Sequence, residues 1–241
     1  MIQPGRIVED GTGDQGGLEI MIPKYRHDIN KIMIDISRIP QSEREATWIN
    51  ISSVNNLIGY VEDFGAVCRL YEFCKSSRYT DRENSDYLKW SLVAGRDGAM
   101  SMYHFWMILS GTNFRDCPTL RNFIDFCKLK DARKKFKQAF PDIEKVRHAV
   151  AHRAEIRQTL KKTTKNSFSG SISMPGININ NVKNFSISDS FIDNKFHCTI
   201  NGKIITYELS INTLNKLTEI TCDYYVGFQD VIKNLSPYNL F

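Results

Sequence analysis

A chain of 241 residues, 41% of them hydrophobic, is long enough to bury a real core, either as one large domain or as a domain with an appendage. No stretch reaches the roughly 18 apolar residues of a membrane span, and the richest, residues 99–109, is shorter and contains His104. The formal charge of +5 is uneven, because residues 121–165 hold 14 Lys/Arg against 5 Asp/Glu while the remainder is slightly acidic. Such a patch gathers polyanions and supports non-specific phosphate contacts, the plainer reading being two solvated helix faces.

The first residues lack a basic region followed by an apolar run, so no secretory signal is expected and a cytoplasmic protein is. The six cysteines (Cys68, Cys74, Cys117, Cys127, Cys198, Cys222) form no Cys-x-x-Cys pair, and His27 and His197 lie at no ligand-like spacing. They read as reduced, mostly buried thiols, with no metal or cofactor expected.

In chain order, Gly11 to Gly16 spells Gly-x-Gly-x-x-Gly, but no hydrophobic strand precedes it and Gly17 to Pro23 does not open a helix. Residues 1–41 are therefore expected to be a flexible leader and a short N-terminal element, with 29–39 left open between an edge strand and a short helix. Ser42 to Glu45 reads as a capping box opening a long helix to about Ser76, with Trp48, Ile51, Leu57, Ile58, Val61 and Phe64 at helical spacing. A second, largely apolar helix spans about Ser85 to Ser110 and carries Arg96, Asp97 and His104. A third covers about Thr119 to Phe140, with Arg133, Lys134, Lys135 and Lys137 outward. The segment after Pro141 follows directly, so the two helices are expected to be antiparallel neighbours with adjoining basic faces.

From Lys161 the composition turns to Ser, Asn, Thr and β-branched residues. Pro175-Gly176 marks a turn in an irregular stretch or short strand pair, and Asn201-Gly202 predicts a tight hairpin between Phe191–Ile200 and Lys203–Leu209. Ser210 then caps a last helix. The expected fold class is mainly α: an up-down bundle of about four to five helices, with a small β-hairpin inserted before the C-terminal helix. The bundle is placed at 42–165, and the hairpin with its helix, packed on the bundle, at 166–241.

The stretch that stands out is Phe140 to Glu155. Pro141 and Asp142 suit a first turn and cap, and Ile143, Val146, Val150 and Ala154 recur at helical spacing. Arg147, His148 and His152 ride on small residues, Ala149, Ala151 and Ala154. On a continuous helix His148 and His152 share a face, whereas Arg147 lies about 100° from the first and about 140° from the second.

The run Arg147-His148-Ala149-Val150-Ala151-His152 resembles the Arg-x4-His signature of HEPN domains, in which a polar residue often follows the Arg, as His148 does here. The resemblance covers about residues 43–162 and implies a metal-independent endoribonuclease. His152 would act as general acid/base toward the ribose 2'-hydroxyl or the leaving group, Arg147 would stabilise the phosphate, and His148 would complete the catalytic set. It also implies a homodimer with a shared cleft, and membership of a toxin or defence system with a possible antitoxin partner. Chemically the pairing is sensible, since imidazole titrates near neutrality and guanidinium grips phosphate with a planar fork. Asp97 or His104 is a candidate to orient an imidazole, and Arg133, Lys134, Lys137, Arg153 and Arg157 to contact RNA. Three other readings stay open: a non-catalytic HEPN-like module binding nucleic acid or protein, a plain exposed helix face, and a metal pair of His148 and His152 joined by His104 or Glu155.

Overall fold

The computed structural model describes residues 30–80 and 85–237. The Gly11–Gly16 run and His27 lie outside them. Residues 30–35 have no regular secondary structure and lead into a 3-10 turn, Ile36–Arg38. Asn55 fixes this entry by bonding both the N–H (2.9 Å) and the C=O (3.0 Å) of Ile32, whose side chain is buried with that of Ile39.

Helix α1, Arg44–Thr80, and helix α2, Asp86–Gly111, form the main hairpin. In α1 the buried residues Val54, Leu57, Val61, Phe64, Cys68 and Tyr71 repeat every three to four positions and line the core. The Ser42 capping box does not form: a 3-10 turn, Gln41–Glu43, precedes α1, with Pro40 at its cap. The neighbouring Glu43 instead reaches across to bond the N–H (2.7 Å) and hydroxyl (3.0 Å) of Thr119, supplying the orphan donors at the start of α3, Pro118–Arg121. Ser85 does precede α2, but Trp90, Val93 and Met107 are about half exposed, so α2 is not a fully enclosed central helix. Its buried stripe starts with small residues, Ser91, Ala94, Gly95, Gly98 and Ala99, and continues with Met102, Phe105 and Leu109.

The third expected helix is two. After α3 the chain breaks, and α4, Phe126–Ala139, starts afresh where the Asp125 carboxylate accepts from Cys127 N–H (2.9 Å). Then come α5, Ile143–Ala151; α6, Arg153–Ile156; and α7, Leu160–Asn166. Helix α4 packs chiefly on the C-terminal helix Ile211–Val226 and α5 chiefly on α2, so α4 and α5 do not form the antiparallel pair expected from their short connection.

The β part is larger than one hairpin. Strands β1, Phe168–Met174, and β2, Ile177–Phe185, pair as a ribbon through the Pro175-Gly176 turn, with most residues on both faces solvated. Strands β3, Ser190–Ile192, β4, Lys195–Ile200, and β5, Lys203–Glu208, form an antiparallel sheet in that order. Asn201 and Gly202 take φ of 49° and 72°, as a two-residue hairpin turn demands. Phe196 and Tyr207 share one face of this sheet and press on the glycines of α2, where the Tyr207 hydroxyl donates to the Gly95 carbonyl.

Ser210 caps α8, Ile211–Val226, accepting from Thr213 N–H, but the last helix breaks at Gly227 and resumes as α9, Gln229–Leu235. Gly227 is locked by a bond from Asp125 N–H to its carbonyl (2.9 Å), which ties the α8–α9 break to the α3–α4 break. One hydrophobic cluster, from Ile32 to Leu235, runs through the helical and β regions alike. The fold is mainly α with two small sheets, and among the described residues no helix is long and apolar enough to cross a membrane. All six cysteines are free thiols; Cys68, Cys74, Cys117 and Cys198 are buried, and Cys127 and Cys222 are exposed.

Candidate functional site

Helix α5 buries Ile143, Val146, Ala149 and Val150 and ends at Ala151. The expected single helix from Pro141 to Glu155 is corrected on this point. Its apolar stripe stops at Val150, since Ala151 and Ala154 are exposed, and His152 leaves helical geometry with φ −111° and ψ 22°. His152 therefore closes α5 with its N–H on the His148 carbonyl (3.0 Å) and opens α6 with its carbonyl on Ile156 N–H (2.9 Å).

At this joint the two imidazoles come together, with ring centroids 4.7 Å apart and planes inclined at 36°. His148 is exposed and His152 half-buried. Nδ1 of His152 lies 3.1 Å from Oε1 of Glu155, three residues on. The Glu155 carboxyl is held below its ordinary range by that hydrogen bond first, then by the charge of His152, with Lys162 and His148 adding smaller pulls.

Arg147 points elsewhere. Its guanidinium lies over the ring of Tyr103 on α2, 4.7 Å from the centroid, and its Nε is buried without a hydrogen-bond partner. Among the described residues no ion pair claims it and no hydrogen bond joins it to either histidine. Tyr103 in turn meets His104 (6.0 Å), and His104 meets Tyr60 of α1 (5.6 Å), so His104 stands two rings from Arg147. Asp97 is exposed on α2 and is not beside an imidazole; among the described residues, the carboxylate that does meet one is Glu155.

The basic candidates are mostly tied into the fold. Arg133 donates to the Leu109 carbonyl near the end of α2. Lys137 pairs with Glu144 (2.6 Å) and lies 4.1 Å over the Trp106 ring, while Trp106 donates to the same carboxylate (2.8 Å). Glu144 is accordingly held below the usual carboxylate range, by the Lys137 hydrogen bond first. Arg153 pairs with Asp189 (3.0 Å), and Arg157 donates to Ser186 (2.9 Å). Lys134 is exposed.

Asp189 was not picked out from sequence. Its side chain is 5% exposed, and its Oδ2 accepts from both Arg96 of α2 (2.9 Å) and Arg153 (3.0 Å). Together with Arg157 and Ser186 it fastens the β2–β3 connection to α2 and to the segment just past His152. A signal was available: Asp189 is the first acid after Glu155 in a stretch that follows a basic run. Tyr103 carried no such signal, because an aromatic on an apolar helix reads as core. Two guanidiniums on one carboxylate leave this seam with an excess of positive charge.

Among the described residues no three His, Cys, Asp or Glu side chains come together as a group able to hold a metal ion. Comparison with known proteins finds no family model that matches the chain, no similar curated protein and no similar solved structure.

Proposed function

We propose that the chain is a HEPN-like, metal-independent endoribonuclease that cleaves RNA by attack of the 2'-hydroxyl on the adjacent phosphate. His152 is its general acid/base, Arg147 stabilises the phosphate charge, and His148 shares the site. The observation that carries the reading is that all three side chains retain reactive edges: Arg147 is not neutralised by a carboxylate, and both imidazoles reach solvent at the α5–α6 joint. In this reading α1, α2, α4, α5 and α8 constitute an up-down bundle of the HEPN kind, and Lys134, Arg153 and Arg157 extend the phosphate-binding surface. The protein works as a cytoplasmic homodimer, with RNA as substrate and an antitoxin as a further partner. Incubation with bulk RNA in EDTA tests it. Cleavage leaving 2',3'-cyclic ends, lost in Arg147→Ala and His152→Ala but kept in Lys161→Ala, is the expected result, and persistence of cleavage in both site variants refutes it.

One observation favours a second reading, a non-catalytic HEPN-like module that binds nucleic acid or protein. Arg147 lies on Tyr103 while His152 faces Glu155, so the two do not touch each other. Salt-sensitive RNA affinity without cleavage is the outcome this reading expects.

A further inference from the structure

We propose that Glu155 is a positioning residue that holds the proton of neutral His152 on Nδ1, leaving Nε2 as the atom that takes the proton from the RNA 2'-hydroxyl. The inference rests on the nuclease reading above and adds to it the atom and the partner that make His152 a base.

The ring of His152 is held on two sides. Its backbone is fixed by bonds on both sides of the joint, His152 N–H to His148 C=O and Ile156 N–H to His152 C=O. The His148 ring packs against that of His152, centroids 4.7 Å apart and tilted by 36°, and the Nδ1 edge meets Glu155 at 3.1 Å. Glu155 sits in the first turn of α6, and three residues is the spacing at which a side chain reaches back over the residue that starts a helix.

An ionised carboxylate only accepts hydrogen bonds, so contact at Nδ1 requires the imidazole to present an N–H there. A neutral imidazole has one N–H, and its lone pair then falls on Nε2. Among the described residues Nε2 makes no hydrogen bond, and the side chain is 35% exposed. Lys162 and His148 are the other titratable groups felt by Glu155, and both are cationic when charged, so they favour the ionised carboxylate that the arrangement needs.

The step balances without a co-reactant other than water. The 2'-O–H bond breaks and its proton passes to Nε2, giving an imidazolium paired with Glu155. The 2'-oxygen bonds to phosphorus while the bond from phosphorus to the 5'-oxygen breaks, and the leaving oxygen takes a proton from water. Imidazolium then returns its proton to solvent.

Long-range ¹H–¹⁵N spectra of the full chain at pH 8, with the His152 signal assigned by its loss in His152→Gln, read the tautomer directly. The expected result is an Nδ1–H ring in wild type, kept in Glu155→Gln, whose amide oxygen still accepts, and redistributed toward Nε2–H in Glu155→Ala. In parallel, kcat for RNA cleavage falls by about tenfold or more in Glu155→Ala, part of the roughly 10²–10⁴-fold that a positioned base contributes. KM stays unchanged, and Glu155→Gln is largely rescued. Cleavage by wild type with the same tautomer in wild type and Glu155→Ala overturns the positioning role and leaves the nuclease standing. An Nδ1–H tautomer that depends on Glu155, in a wild type that cleaves no RNA, overturns the nuclease and leaves the positioning intact.

Discussion

Replacing Gly95 by alanine is the sharpest perturbation of the scaffold beneath the site. A Cβ there would lie 2.7 Å from Phe196 Cε2 and 2.8 Å from Phe191 Cε2, and nearer still to Phe196 Cδ2. Carbon atoms in contact prefer about 3.5–4.0 Å. Phe196 is fully buried and has no solvent to turn into, so the sheet must back away from α2. Overpacking of that kind costs about 1–3 kcal/mol. Moving the sheet also strains the bond from the buried Tyr207 hydroxyl to the Gly95 carbonyl, worth about 1 kcal/mol. Against this stands the helix preference for alanine over glycine, about 1 kcal/mol. The net expectation is a loss of about 1–3 kcal/mol, read as a lower urea midpoint at unchanged slope. Gly59 of α1 supplies the internal contrast, since an added Cβ there meets nothing within 4 Å and Gly59→Ala should gain about 0.5–1 kcal/mol. A Gly95→Ala protein as stable as wild type would refute the close-approach argument.

Other consequences can be checked separately. Arg147→Lys should lose RNA cleavage nearly as fully as Arg147→Ala, because an ammonium reproduces neither the planar fork nor its stacking on Tyr103; near-wild-type kcat in the lysine variant contradicts this. Asp189→Ala leaves Arg96 and Arg153 without their shared acceptor, and since both are partly solvated the loss should be about 1–2 kcal/mol by urea unfolding, below the roughly 3–5 of a fully buried pair. His197 is 4% exposed, and burial, then the charge of Lys195, holds its imidazole below the ordinary histidine range. The unfolded chain therefore binds the proton first, so stability is fully present above pH 6.5 and falls as pH drops toward the folded-state value. Comparing urea midpoints at pH 8 and at about pH 5 should show a smaller drop in His197→Leu than in wild type; equal drops would assign the acid sensitivity elsewhere.

Local chemistry made much of the fold legible. The Asn201-Gly202 hairpin, the Ser210 cap and the extent of α2 each depend on neighbouring residues alone, and each appears where short-range rules place it. The helix breaks near Asp125, His152 and Gly227 escaped notice because a single residue leaving helical geometry is decided by distant partners. Asp125 and Gly227 fix each other across about a hundred positions, and the turn past His152 is held by Asp189 and Ser186. Ser42 met the local requirements of a cap, yet it lies inside the 3-10 turn Gln41–Glu43 that precedes α1. At the candidate site the residue types were legible, whereas their directions were not. Angles on an ideal helix brought His148 and His152 together, but could not foretell that Tyr103 would take Arg147 or that Glu155 would face His152.

Because the chain turns at His152, the guanidinium and the imidazole are mounted on different levers. Arg147 is carried by α5, braced against the core by Val146 and Val150, while the far side of His152 belongs to a short segment anchored to side chains on the β2–β3 connection. The core thus fixes the guanidinium, and the β2–β3 connection, through Asp189 and Ser186, fixes the chain beyond the imidazole, so the spacing of the two groups is set by two separate anchorages.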